Sequence, residues 1–259
     1  MSTGTMSLPD PAPRPYVVII PAFEPGPDLV HIAEAVAATH PRALVVVDDG
    51  SSAAAADVFR ALAGLDGVTV IRHGRNLGKG EAIKTGLRHV RENFPDAAGA
   101  VTMDADGQHA LEDVLRVGEV LQREPGALVL GERAFHGEVP LRSRLGNSLT
   151  KAIVNVTTGL RLTDTQTGLR GIPFGLFEAV LGIGSSRYEF ELDMLFLCRE
   201  RAIPVVGVPI RTLYIEGNRS SHFRPLHDSV RIYRRLLANL ARLAARRLGR
   251  RRGSGGRRA

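Results

Sequence analysis

Two acidic clusters hold the residues best suited to chemistry in this chain, and each closes an apolar run. Leu44-Val45-Val46-Val47 ends in Asp48-Asp49-Gly50-Ser51, and Ala100-Val101-Thr102-Met103 ends in Asp104-Ala105-Asp106-Gly107-Gln108-His109. Neighbouring carboxylates repel one another unless a cation or hydrogen-bond donors compensate them. Asp104 and Asp106 lie two residues apart, so in extended chain their side chains share one face. With the amide oxygen of Gln108 they form a donor set for a hard divalent ion, Mg2+ or Mn2+. Such an ion would offset the charge of a departing diphosphate. Two solvated loop aspartates capping a helix from Ala110 account for the same residues equally simply.

A third segment, Asn76-Leu77-Gly78-Lys79-Gly80, precedes a helical pattern. Its glycines let backbone approach a ligand, and a helix N-terminus favours an anion. A plain turn also explains them. The segment is not a P-loop, because Gly74 and Gly78 are one residue too close and Gly80 stands where Ser or Thr is needed. A dinucleotide-type GxGxxG is missing too, since Pro21-Ala22-Phe23-Glu24-Pro25 follows the first apolar run.

The elements that must position these residues alternate between two periodicities. Tyr16–Ile20, Leu44–Val47, Val68–Ile71, Ala100–Met103 and Ala127–Leu130 are short apolar runs, as buried parallel strands are. Between them Leu29, Ile32, Ala33 and Val36, then Ala82, Ile83, Leu87 and Val90, recur at helical spacing. This alternation predicts βαβ units and a parallel sheet with helices on both faces. Ligands of such sheets bind beyond the carboxyl ends of the strands, where the acidic clusters fall. Past Arg133 the pattern becomes irregular, with a polar loop at Asp164–Gly168, a helix at Glu189–Glu200 and strands at Val205–Ile210 and Thr212–Ile215.

Composition excludes several classes. The chain has 259 residues, 44% hydrophobic and 24% charged, in the range of a folded α/β domain. No run of about 18 apolar residues is present for a spanning helix. The first fifteen residues hold four prolines and lack the apolar block of a secretory signal. The single cysteine, Cys198, sits in an apolar run and is expected to be a core thiol. Eleven arginines and no acid lie between Arg231 and Ala259, so the net charge of +7 becomes −4 once those eleven are set aside. The basicity therefore belongs to the tail, and no specific nucleic-acid surface is expected.

Taken in order, Ile20-Pro21-Ala22-Phe23, Asp48-Asp49-Gly50-Ser51, Asn76-Leu77-Gly78-Lys79-Gly80 and Asp104-Ala105-Asp106-Gly107-Gln108 resemble the family 2 glycosyltransferases of the GT-A fold. Within them the chain looks most like the polyprenyl-phosphate sugar transferases of the dolichol-phosphate mannosyltransferase group, from Tyr16 to Arg231. The resemblance implies an α/β domain with a Rossmann-like nucleotide-binding half and a mostly parallel sheet. It implies that Pro21, Ala22 and Glu24 pack around a nucleotide base, and that Asp48 and Asp49 accept hydrogen bonds from base or ribose. Lys79 and Asp104 join them on the nucleotide sugar, and Asp104, Asp106 and Gln108 hold Mg2+ or Mn2+. Arg133 (in Gly131-Glu132-Arg133), Arg142, Arg144 and Gln166 are implied at acceptor or donor phosphate. Asp106, Arg133 and Asp193 form the implied catalytic set. Asp193 either takes the proton of a hydroxyl acceptor or orients arginines toward a lipid phosphate that is already ionised.

Two departures accompany the resemblance. Glu24, followed by Pro25, stands where the family has Asn, and the C-terminal transmembrane helices common in the family are missing. The expected organisation is a disordered leader at 1–15, a transferase domain at 16–225, a basic amphipathic helix at 226–249 and a disordered Arg/Gly tail at 250–259. The expected partners are a GDP- or UDP-hexose carrying mannose or glucose, a polyprenyl phosphate and an anionic membrane surface. The expected location is the cytoplasm, peripherally on the inner face of the plasma membrane. Transfer to a glycan or small-molecule hydroxyl, a nucleotidyltransferase, and a non-catalytic membrane- or nucleic-acid-binding module are the alternatives.

Overall fold

A computed structural model describes residues 15–133, 164–165 and 167–211. Along the chain run β1 (Val17–Ala22), α1 (Asp28–Ala37), β2 (Ala43–Asp48), α2 (Ala56–Ala63), β3 (Val68–Arg72), α3 (Lys79–Asn93), β4 (Gly99–Thr102) and α4 (Leu111–Arg123). Then follow β5 (Leu128–Arg133), β6 (Arg170–Pro173), α5 (Phe177–Leu181), α6 (Glu189–Glu200) and β7 (Val205–Ile210). The seven strands form one sheet in the order β3-β2-β1-β4-β6-β5-β7. All pairings are parallel except those of β6, which runs antiparallel to both β4 and β5.

The central strands are apolar along their length because both of their faces are covered. Val17, Ile19, Val45 and Val47 face one side, packed with Ala82 and Leu87 of α3 and Phe190 and Leu195 of α6. Val18, Ile20, Leu44 and Val46 face the other, against Leu29 of α1 and Val114, Val117 and Leu121 of α4. The period of two in the strands and of three to four in the helices meets in these two cores. Cys198 lies in the first of them, and burial pushes its thiol up to about 12, so it is a core group.

The sheet differs from a plain βαβ reading at β6. Arg170-Gly171-Ile172-Pro173 carries no alternation and ends in proline, so the sequence offers no strand signal there, yet all four residues are buried. Its neighbours supply the drive, since Gly171 fits under Val129 and Leu121. The antiparallel direction has a consequence for function. Arg170, the first residue of β6, pairs with Thr102 and Leu130 near the carboxyl ends of β4 and β5. The loop preceding β6 is thereby delivered to the same edge as the loops that follow β1, β2 and β4.

Several expectations lie outside the described residues: the leader up to residue 14, Arg142, Arg144, Gln166, the strand at 212–215, the helix at 226–249 and the tail at 250–259. Among the described residues no helix is long and apolar enough to cross a membrane.

Helix α3 approaches β1 closely because Gly86 has no side chain. A Cβ there would lie 2.6 Å from Ile19 Cγ2, a fully buried β-branched side chain with no room to yield. Alanine normally stabilises a helix interior over glycine by about 1 kcal/mol. At this contact the sign inverts, and Gly86→Ala is expected to destabilise the fold by about 1–3 kcal/mol through overpacking. Urea denaturation of the two proteins measures it.

Candidate active site

The acidic residues at the strand ends are compensated one by one. Asp48 closes β2, nearly fully buried, and its Oδ1 accepts the Ser51 N–H at 2.8 Å while Oδ2 lies 3.3 Å from Arg72 Nε. Asp49 is equally buried and spends both oxygens inside the protein. Oδ1 accepts from Leu77 N at 2.9 Å, Oδ2 from Gly78 N at 2.8 Å, and His73 Nδ1 lies 2.8 Å from Oδ1. His73 Nε2 is 3.0 Å from Thr85 Oγ1, so the tautomer carrying its proton on Nδ1 satisfies both ends of the chain. Asp49, expected at the nucleotide, is thus the clamp that fastens the glycine-rich loop to β2. Glu24 is also engaged: its carboxylate accepts from Ser52 N at 2.7 Å and from Ser52 Oγ at 3.1 Å, in a residue whose φ is +48°. It closes the turn after β2, with Pro21 and Ala22 ending β1 beside it.

Asp104 follows β4 and lies beneath the loop that precedes β6. Thr102 Oγ1 donates to Gly168 O at 2.8 Å, and a Cβ on Gly168 would come within 2.4 Å of both Asp104 carboxylate oxygens. Only glycine lets this loop rest on the carboxylate. Lys79, the first residue of α3, reaches across with Nζ 2.6 Å from Asp104 Oδ1 and 2.8 Å from Glu191 Oε1 on α6. His109 Nε2 stands 3.5 Å from Asp104 Oδ2. Burial alone would raise the Asp104 pKa, but Lys79 and His109 outweigh it and hold this carboxyl far below the usual range. Burial likewise disfavours the charge on Lys79, and Asp104 and then Glu191 more than restore it. Asp106 shifts the other way: burial first, and the charge of Asp104 second, raise its pKa. Gln108 is tied to Asp106 through its backbone N–H, 3.1 Å from Oδ1.

Arg133 ends β5 and forks onto the fully buried Asp164, with Nε 2.5 Å from Oδ2 and Nη2 3.3 Å from Oδ1. That pair stretches from β5 to the start of the covering loop, so the arginine expected at phosphate also anchors the loop. Arg170 holds the other end of the loop. Its guanidinium, 1% exposed, donates to Thr167 O at 3.0 Å, Thr165 O at 3.2 Å and Glu191 O at 2.6 Å. Asp193, on α6, is buried and its Oδ2 accepts from Ser185 Oγ at 2.7 Å. The carbonyl of the same Ser185 accepts from Lys84 Nζ at 2.8 Å.

The structure therefore brings Lys79, Asp104, His109, Gly168 and Glu191 into one cluster, with Asp106 and Gln108 on the adjoining turn. From the sequence Glu191 stands with Glu189 and Asp193 among the acids that bear on mechanism, and Arg170 ends the Asp164–Arg170 segment that resembles a family loop beside the acceptor. Neither received the contacts seen here, because a glutamate in the first turn of a helix and an arginine in a loop look like surface residues. Their one signal is the loop sequence around Gly168, whose packing role is visible only with Asp104 beneath it.

Asp104 and Asp106 fit a hard divalent ion. The donor set is carboxylate oxygen, and burial first and the charge of Asp104 second disfavour the ionised Asp106, a cost that a cation between the two would offset. Among the described residues no group of three or more His, Cys, Asp or Glu side chains is arranged to hold a metal by itself. An ion at this pair would complete its coordination with substrate oxygens and water, the usual way Mg2+ is bound at phosphate sites.

Comparisons with known proteins agree with this geometry. A family model described as Glycosyl transferase family 2 matches residues 17–181. The UDP-N-acetylglucosamine–dolichyl-phosphate N-acetylglucosaminyltransferase of Methanococcus voltae is 32% identical over 154 residues, 58% of this chain and 61% of that protein. The polyprenol monophosphomannose synthase of Mycolicibacterium smegmatis is 29% identical over 206 residues, covering 75% of this chain and 76% of that one. Among solved structures, glucosyl-3-phosphoglycerate synthase from Mycobacterium tuberculosis, in complex with Mn2+, UDP and phosphoglyceric acid, superposes with a TM-score of 0.66. At 16% identity over 89% of this chain and 78% of that one, it shows a shared fold, the GT-A architecture of its class.

The raised pKa of Asp106 has a consequence for stability. Its carboxyl protonates more readily in the folded than in the unfolded chain, so stability falls as pH rises through the ordinary carboxylate range, and the loss is complete above the raised folded value. Asp106→Asn removes the cost of burying this charge beside Asp104 and leaves an oxygen for the Gln108 N–H. The variant is expected to melt on the order of 2 °C higher than the unaltered chain at pH 7, with the gain shrinking at pH 3. Thermal denaturation at the two pH values checks it.

Proposed function

This chain belongs to glycosyl transferase family 2, and from that premise we propose that it moves a hexose, mannose or glucose, from a GDP- or UDP-sugar to a polyprenyl phosphate at the cytoplasmic face of a membrane. Nucleotide-sugar glycosyl transfer is the activity of the family and fold; the lipid acceptor, the inversion and the metal dependence are the proposal. The observation that carries it is the Lys79–Asp104–Glu191 cluster beneath Gly168, which joins the first residue of α3 to the carboxylate that follows β4, at the sheet's switch point. The acceptor rests on the two relatives named for dolichyl- and polyprenol-phosphate chemistry.

In this reading an oxygen of the lipid phosphate attacks the anomeric carbon as the bond from that carbon to the diphosphate breaks. The bonding pair leaves with the nucleoside diphosphate, and configuration inverts. Asp104 and Asp106 would hold a divalent ion, which would supply Lewis-acid stabilisation of the leaving diphosphate. Lys79, the first residue of α3, brings its ammonium to the same phosphates. A lipid monophosphate is mostly ionised at neutral pH and needs no base, so Asp193 acts by holding Ser185 and the loop before α6. Arg133, held at the end of β5 by Asp164, is assigned with Arg142, Arg144 and Gln166 to the phosphate of the acceptor, which guanidinium groups recognise bidentately.

The C-terminal sequence supports residence at a membrane. Tyr233, Leu236, Leu237, Leu240, Leu243, Ala244 and Leu248 recur at spacings of three and four, flanked by Arg234, Arg235, Arg242, Arg246 and Arg247. A helix of this pattern lies in a lipid interface with its arginines at anionic headgroups, each contributing about 1 kcal/mol near the surface.

Two measurements test the proposal. Release of UDP or GDP from a panel of nucleotide hexoses is expected to depend on added polyprenyl phosphate, to stop in EDTA, and to fall by roughly 100-fold or more in Asp104→Asn. Stimulation by free sugars or phosphoglycerate in place of the lipid would favour a hydroxyl acceptor, and full activity in EDTA would remove the metal. Separately, the full chain is expected to sediment with anionic vesicles and a chain ending at Asp228 to stay in solution; equal sedimentation of both rejects the membrane helix.

A further inference from the structure

Lys79 is held between two carboxylates from different parts of the chain. Asp104 comes from the end of β4 and Glu191 from the first turn of α6, and the lysine Nζ sits 2.6 Å from one and 2.8 Å from the other. The backbone beneath it is fastened on both sides. Gly78 N donates to Asp49 at 2.8 Å, and Glu81 N donates to Ser186 O at 3.0 Å. The ammonium therefore changes partners by side-chain rotation, without moving the start of α3.

Asp104 Oδ1 is held by Lys79, while Oδ2 lies 3.5 Å from His109 Nε2, a ring nitrogen with no hydrogen-bond partner. A divalent ion that binds Asp104 through Oδ1 must displace Lys79, and one that binds through Oδ2 sits beside the charge of its ammonium. Leaving Lys79 with Glu191 alone in a largely buried site is unfavourable unless another anion replaces Asp104. The diphosphate of a nucleotide is such an anion.

From this geometry we infer that Lys79 is an internal counter-cation that competes with the divalent ion for Asp104, so that metal enters efficiently only together with a nucleotide diphosphate. Glu191 is the holding partner that keeps the ammonium in the site while it exchanges Asp104 for phosphate. The inference rests on the donor site of the proposed function and adds to it an order of binding. The two short contacts of the Lys79 ammonium, 2.6 Å to Asp104 Oδ1 and 2.8 Å to Glu191 Oε1, are what a divalent ion must overcome. Because binding linkage is reciprocal, the metal raises nucleotide affinity by the same factor as the nucleotide raises metal affinity. That factor passes through Lys79.

The consequence runs against what a simple ligand lysine would do. Titration of the full chain with Mn2+ alone, by calorimetry or by the electron paramagnetic resonance of the free ion, reads the first half. Lys79→Met is expected to bind Mn2+ on the order of tenfold more tightly than the unaltered chain, because an opposing charge next to the ion is gone. Glu191→Gln is expected to bind it several-fold more weakly, because the ammonium then belongs to Asp104 alone. Titrations with UDP and GDP, with and without Mn2+, read the second half: the factor by which Mn2+ tightens nucleotide binding is expected to shrink about tenfold in Lys79→Met and to persist in Lys79→Arg.

Unchanged or weaker Mn2+ binding in Lys79→Met overturns the inference. Should that variant not fold, unchanged or tighter Mn2+ binding in Glu191→Gln overturns it instead. Normal Mn2+-dependent nucleotide binding in the unaltered chain alongside either result leaves the proposed function standing and removes the inference alone. Failure of the unaltered chain to bind either nucleotide in Mn2+ removes both.

Discussion

Buried negative charge at the carboxyl ends of β2 and β4 is the constraint around which this protein is arranged. Asp48, Asp49 and Asp104 all sit where parallel strands deliver their last residues, close together and largely out of water. Each carboxylate has a different compensation. Asp48 has the Ser51 amide and Arg72; Asp49 has two loop amides and His73; Asp104 has Lys79 and His109. The Asp49 contacts are the most fixed, since their donors are backbone amides and the largely buried His73. Asp48 adds the exposed Arg72 to its backbone amide, and Asp104 relies on a long, rotatable ammonium.

The Lys79–Asp104 pair is placed by fixed contacts elsewhere, those of Asp49 first. Asp49 accepts the N–H groups of Leu77 and Gly78, which sets the chain entering α3 and hence where Lys79 begins. The loop before β6 rests on Asp104 through Gly168, and Arg133 with Asp164 and Arg170 with three carbonyls hold that loop at its two ends. One of those carbonyls belongs to Glu191, so the arginine buried under the loop also positions the residue that shares Lys79. The Lys79 cluster and the loop before β6 are therefore coupled through buried polar contacts whose geometry has little freedom.

Antiparallel β6 makes this coupling possible. Had the strand between β4 and β5 run parallel to them, the loop preceding it would have emerged at the opposite edge of the sheet. Its reversed direction brings Asp164–Leu169 over the acidic pair and lets α6, two elements later, present Glu191 to the same spot.

The apolar runs and the helical periodicities determined by themselves that an α/β sheet forms and that Asp48, Asp49, Asp104 and Asp106 stand at its carboxyl edge, because burial on two faces demands continuous apolar strands and the chain becomes polar where they end. The helix at Glu189–Glu200 and the strand at Val205–Ile210 were visible for the same local reason. Which of those acids remains available to a ligand was decided only in three dimensions. Asp48 and Asp49 look alike in sequence, yet Asp49 is consumed by amides nearly thirty residues away. Strand β6, with an arginine, a glycine and a proline in four residues, carries no pattern of its own and exists because β4 and β5 offer it ladder partners. Glu191 and Arg170 become site residues by contacts across the fold. Local sequence records what each segment must bury, whereas the partner of a buried charge is chosen by which segments the completed sheet brings within hydrogen-bond reach.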